Sequence, residues 1–349
     1  MGMEEPRAPM TIEKEDQEEV ELLAEDEAAL LKKITALAEA IGKLPSLSPS
    51  PEVNALFTEL VSACVPASSI DVEQLGPAAQ EMRGRLIRLC SEAEGLLEAH
   101  YSDLLADFAN PLDHLTLFPY FNNYILLSQL EYGLLARHVP GPPPARLAFV
   151  GSGPLPLSSL VLAARHLPAA AFDNYDICAD ANARAARLVR ADDDLAARMA
   201  FRTSDVAHVT KDMAAYDVVF LAALVGMAAE EKARVVEHLG RHMAPGAALV
   251  VRSAHGARGF LYPIVDPEEI RRGGFEVLAV HHPEGEVINS VIIARKPAIA
   301  VDAAGNNGHA HAHAHGHCGA VVSRPCLCCE MEARAHQKME EMPLEKLPS

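Results

Sequence analysis

From Ala28 to Ile41 the apolar residues Leu30, Leu31, Ile34, Leu37 and Ile41 recur at helical spacing, and Gly42 ends the run. A connector, LPSLSPSP at 44–51, leads to a second helix over about Val53–Cys64. A third is expected over about Pro77–His100, with Met82, Leu86, Leu89, Leu96 and Leu97 as its buried stripe. These helices should bundle. The next amphipathic stretch, NPLDHLTLFPYFNNYILLSQLEYGLLARH at 110–138, passes through VPGPPP into a short apolar run, Leu147–Val150.

Beyond this point the pattern changes to short apolar runs separated by helical ones. Gly151-Ser152-Gly153 can turn sharply, Pro154 suits the first position of a helix, and Ser158–His166 continues helically. Further strands are expected at Ala169–Tyr175, Met199–Arg202, Tyr216–Leu221 and Ala248–Arg252, with an amphipathic helix at Ala228–Met243 stopped by the A-P-G of 244–246. A helix at Pro267–Arg272 precedes an antiparallel pair, Phe275–His281 and Val287–Arg295. Strands alternating with helices predict an α/β, doubly wound sheet behind an N-terminal helical bundle domain. The expected divisions are an acidic, disordered lead-in at 1–27, a helical domain at 28–139, a Rossmann-like domain at 140–297 and a His/Cys-rich flexible tail at 298–349.

The glycine turn narrows the ligand. A strand, a turn, a helix start and then Asp176 at the end of the next strand place a carboxylate where doubly wound folds hold a ribose. A dinucleotide site wants G-x-G-x-x-G and free N–H groups for a pyrophosphate, but the third glycine is missing here, and Pro154 and Pro156 remove two donors. A nucleoside without phosphate, S-adenosylmethionine, fits better. Gly151, Ser152, Gly153, Pro154 and Asp176 are therefore its candidate binding residues. Asp205, after the third strand, is placed near the adenine amine, and the small Ala222 leaves room beside the nucleoside.

A net charge of −18 disfavours nucleic acid and anionic membrane surfaces and favours a sulfonium or an amine. No apolar stretch is long enough to span a bilayer, no basic-then-apolar signal opens the chain, and the cysteines form no even secreted framework. The expectation is a cytoplasmic enzyme without integral membrane contact, with homo-oligomer assembly left open. Tyr101-Ser-Asp-Leu104 and Leu104-Leu105 resemble sorting signals for vesicles, but such residues on a helix are more often core.

Within 110–138, Phe118, Tyr120, Phe121, Tyr124 and Tyr132 concentrate aromatic surface in a chain otherwise poor in it. Tyr124, Ser128, Glu131 and Leu135 share one helical face, so a phenol and a carboxylate can converge there. The segments LGPAAQEMRGRLIRLC, NPLDHLTLFPYFNNYILLSQLEY, FVGSGPLPLSSLVLA and DNYDICADAN, with the stretch through SAHGARGFLYPIVDP, resemble plant nicotianamine synthase from about Ile41 to Lys296. The resemblance implies condensation of three aminocarboxypropyl groups from S-adenosylmethionine, with release of methylthioadenosine, to make a small metal chelator. S-adenosylmethionine is then a substrate, and no further cofactor is implied. The remaining strands are consistent with a seven-stranded, class I methyltransferase-like sheet. Phe121 stands where a second tyrosine is expected, so no role rests on that hydroxyl.

Such a transfer needs a neutral amine to attack the carbon beside the sulfonium, and one carboxylate suffices to take its proton. Glu131 is the candidate acceptor, with Tyr124 and Tyr120 orienting the amine or lining the sulfonium. Arg252 is a candidate partner for a substrate carboxylate. A methyltransferase of a small amine would use the same nucleoside pocket, which fold alone does not distinguish. The tail offers a different reading, a metal-binding protein: His309, His311, His313, His315, His317 and Cys318 supply ligands for opportunistic capture of Zn, Cu or Ni, although the spacing is not that of a closed zinc module and the proposed catalysis requires no metal.

Overall fold

The computed structural model describes residues 12–298 apart from 67 and 69, with the side chains of the first helix described from residue 25 on. The tail's histidines and cysteines lie outside the described residues. The chain opens with helices α1 (Ile12–Ile41), α2 (Pro51–Cys64) and α3 (Pro77–Leu105). Ser50 caps α2 by accepting from the Val53 N–H, and Pro51 and Pro77 start α2 and α3 where their missing N–H groups cost nothing. Residues 12–27, expected as disordered lead-in, are helical and continuous with α1, because the acidic positions fall on a helix that the apolar stripe downstream already propagates. α3 also runs past His100 to Leu105.

After a 3-10 turn at Pro111–Leu117, α4 (Phe121–His138) leads into the sheet. Its order along the chain is β1 (Arg146–Val150), α5 (Leu157–Val161), β2 (Ala171–Asp176), α6 (Ala179–Val189), α7 (Asp193–Arg198), β3 (Met199–Thr203), β4 (Val218–Leu221), α8 (Ala229–His242), β5 (Ala248–Ser253), α9 (Pro267–Arg272), β6 (Glu276–His281) and β7 (Ser290–Arg295). Across the sheet the order is β3-β2-β1-β4-β5-β7-β6, parallel except for β7, which runs antiparallel to both neighbours. Reversal of strand order between β1 and β4 creates a switch point, and crevices at such points take ligands.

Both sheet faces are covered, which is why the strands read as nearly continuous apolar runs. Leu147, Phe149, Phe220, Val250 and Ile293 point to one face and pack against Leu127, Leu134 and Leu135 of α4. Ala148, Val150, Val219, Leu221 and Val251 point to the other, against Val236 and Leu239 of α8. α4 therefore serves as a layer of the sheet half rather than as part of the bundle, and the contiguous packing makes residues up to Ala298 one compact unit. The bundle core of α1–α3 is shared with Ala257, Phe260 and Leu261, from the segment after β5.

Candidate active site

Gly151 and Gly153 adopt left-handed φ values of 80° and 66°. A Cβ on Gly151 would stand 2.4 Å from Val225 Cγ2, and one on Gly153 would stand 2.5 Å from Glu98 Oε2. The second glycine thus admits a carboxylate of the protein as well as forming the turn. Gly153 N–H donates to Asp176 Oδ2 at 3.0 Å, and Cys178 N–H to Asp176 Oδ1 at 2.8 Å, which orients the acid at the end of β2.

A cleft of about 890 Å³ opens at the carboxyl ends of β1, β2 and β4. Gly151, Ser152, Gly153, Pro154, Asp176, Asp205 and Ala222 all line it. Asp205 is exposed and also accepts from Ala207 N–H. Behind the cleft lining, buried Lys232 of α8 donates to the carbonyls of Ala222 and Ala223 at 3.1 and 2.9 Å, and burial brings its pKa down to about 7. This clasp holds the loop after β4 against α8.

Besides Asp176, Asp205 and Glu231, the cleft is lined by carboxylates from α3. Glu94 and Glu98 follow Met82, Leu86 and Cys90 at four-residue intervals, so they continue the core stripe inward. Tyr124 Oη donates to Glu98 Oε1 at 3.0 Å, with a longer contact to Glu94 Oε1 at 3.4 Å, and Tyr262 Oη donates to Glu94 Oε2 at 2.9 Å. Among the described residues neither glutamate has an ion pair with a cationic side chain. Burial, followed by the neighbouring Glu94 charge, pushes Glu98 well above the usual carboxylate range, against the bond from Tyr124. Burial likewise raises Glu94 against the bonds from Tyr262 and Tyr124. Sequence reasoning missed both glutamates. The four-residue series into which they fall was the available signal.

Glu131 occupies a different place from the one expected. It is 0% exposed, lines neither described cavity, and both its oxygens are taken by Arg252: Nε to Oε1 at 2.7 Å and Nη2 to Oε2 at 2.9 Å. Arg252 Nη2 also donates to Ser158 Oγ at 2.7 Å, and its guanidinium lies 5.3 Å from the Phe149 ring centre. A carboxylate held by a bidentate arginine is poorly placed to take an amine's proton. The shared helical face of Tyr124 and Glu131 does not bring them together, since the phenol turns to α3 and the carboxylate to β5.

Tyr120 lines a smaller cavity of about 180 Å³ and not the cleft itself. The two spaces share Glu94, Tyr124, Tyr262 and Asn289 as common wall. Leu105, from the resemblance to a sorting signal, is fully buried, and Tyr101 packs edge-on against Phe118. No helix among the described residues is long and apolar enough to cross a membrane.

The seven-stranded sheet, with its cleft at the switch point, is of the class I methyltransferase-like kind. Residues 23–301 match the family described as "Nicotianamine synthase protein". Nicotianamine synthase 3 of Oryza sativa subsp. indica is 79% identical over 343 residues, spanning 97% of this chain and 98% of that one. Nicotianamine synthase 9 of Hordeum vulgare is 75% identical over 325 residues, spanning 92% and 96%. Among solved structures, MtNAS in complex with MTA and tNA shares the fold, with a TM-score of 0.62 at 22% identity over 76% of this chain and 96% of that one. The chain belongs to the nicotianamine synthase family.

Proposed function

We propose that this chain makes nicotianamine by condensing three aminocarboxypropyl groups from S-adenosylmethionine, with Glu98 as the proton acceptor of each transfer. The amine nitrogen attacks the carbon next to sulfur, the carbon–sulfur bond breaks with its electron pair going to sulfur, and methylthioadenosine leaves. The nitrogen then carries one proton too many, which Glu98 takes. An α-amine titrates at about 8, so an acceptor with raised proton affinity is better matched to it than an ordinary carboxylate. The observation that carries this reading is a buried carboxylate without a contacting cation, seated against Gly153 at the edge of the nucleoside cleft.

Gly151, Ser152, Gly153, Pro154, Asp176, Asp205 and Ala222 are assigned to the adenosine part of the donor. Tyr124 orients Glu98 through its hydrogen bond, and Glu94 with Tyr262 stands in the wall shared with the smaller cavity. That cavity, with Tyr120 in its wall, is the space for the acceptor chain. Glu131 acts at one remove by fixing Arg252. Incubation of the pure protein with S-adenosylmethionine alone should release methylthioadenosine. Release of S-adenosylhomocysteine upon addition of an amine would instead make the chain a methyltransferase.

A further inference from the structure

Arg252 is the penultimate residue of β5, and Asn289 immediately precedes β7. Arg252 stands opposite Val291 in the antiparallel register, so residues 252, 291 and 289 share one face of the sheet. Both Arg252 and Asn289 line the large cleft, and each is 7% exposed. Each also keeps unspent hydrogen-bonding capacity. Arg252 uses Nε and Nη2 on Glu131 and Ser158, while Nη1 makes no bond to the described protein. Asn289 Nδ2 is buried and has no acceptor among the described residues. Buried polar groups are normally satisfied, so the unpaired Asn289 Nδ2, on the same sheet face as the unbonded edge of the Arg252 guanidinium, calls for an acceptor from outside the chain.

Charge identifies that acceptor. Glu94, Glu98, Asp176 and Asp205 line the cleft and repel an incoming carboxylate. The cations lining it are Arg184 and Arg252, and Arg184 is committed at 3.0 Å to Asp103 on α3. A guanidinium N–H beside an amide N–H matches the two oxygens of a carboxylate. We infer that Arg252 and Asn289 form a carboxylate-binding subsite that holds the amino-acid end of the aminocarboxypropyl donor. The inference rests on the donor assigned above. Glu131 and Ser158 are its positioning residues: by occupying the other edge of the guanidinium they fix its plane, so the ligand meets a directed donor.

S-adenosylhomocysteine and methylthioadenosine provide the test, since both carry the adenosyl thioether but only the first carries the aminocarboxypropyl chain, and neither has the sulfonium needed for transfer. Calorimetric titration of Asn289→Leu should show binding of S-adenosylhomocysteine weakened about 10- to 100-fold, the range for one hydrogen bond to a charged group, with methylthioadenosine affinity retained. Arg252→Lys keeps a cation for Glu131 while removing Nη1, and should discriminate in the same direction. Unchanged S-adenosylhomocysteine affinity in the folded variants would overturn the subsite, as would an equal loss for both ligands, which marks a general collapse of the cleft. Failure of the wild-type chain to bind methylthioadenosine would instead strike the donor assignment, and the subsite with it.

Discussion

Glutamates at three positions, 94, 98 and 131, are held in different ways, and their chemistry follows from their partners. Glu131 faces a guanidinium on both oxygens, whereas Glu94 and Glu98 face phenols and each other. Glu98→Gln keeps the shape but removes the proton acceptor, so methylthioadenosine formation should fall by about 10²- to 10⁴-fold while binding of that nucleoside survives. Because the folded state raises the Glu98 pKa, its stabilising contribution is present at acid pH and lost as pH rises through the folded value. The buried carboxyl therefore costs stability at neutral pH relative to acid pH, and Glu98→Gln should melt higher there, by a margin that shrinks toward pH 4. The acidic limb of wild-type kcat/KM should correspondingly lie above the ordinary carboxylate range. Glu131→Gln has a different expected effect: it leaves a buried guanidinium without its counter-charge, and denaturant unfolding should show a loss of about 3–5 kcal/mol.

At the scale of elements, α3 and the turn after β1 have to be read together. Gly153 combines a left-handed φ with a close approach to Glu98, so Gly153→Ala both strains the turn and pushes the carboxylate away. Turnover should drop by about 10²-fold, as ångström-scale misplacement of a reacting group can cost, while circular dichroism remains native. The turn itself was legible in the sequence because strand, glycines and N1 proline are adjacent in the chain. Its dependence on α3 was not, since Glu98 and Gly153 are distant in sequence and only the packing of bundle against sheet brings them together. α4 illustrates the same limit: its periodicity announced a helix with one apolar face, but periodicity does not say whether that face meets other helices or a sheet.

For the molecule as a whole, the bundle and the sheet behave as one body because the α1–α3 core includes Phe260 and Leu261, and α4 covers the sheet. The cleft is a product of that union: the sheet half contributes the glycine turn, Asp176, Arg252 and Asn289, and α3 contributes Glu94 and Glu98. A chain truncated after Ala298 retains every residue assigned to the site, and its rate of methylthioadenosine release is expected to match the full chain's, as measured side by side at equal enzyme concentration. A collapse in that rate would give the His/Cys-rich tail a part in turnover.

The seven strands, their alternation with helices, the glycine turn after β1 and the family resemblance follow from the sequence alone, because each rests on residues close together in the chain and on periodicities the backbone imposes locally. Which carboxylate meets a guanidinium and which meet phenols was decided only in three dimensions. Proton affinity depends on burial and on the charge of groups brought together across the fold, and Glu131 meets Arg252 over a separation of 121 residues that no local pattern encodes.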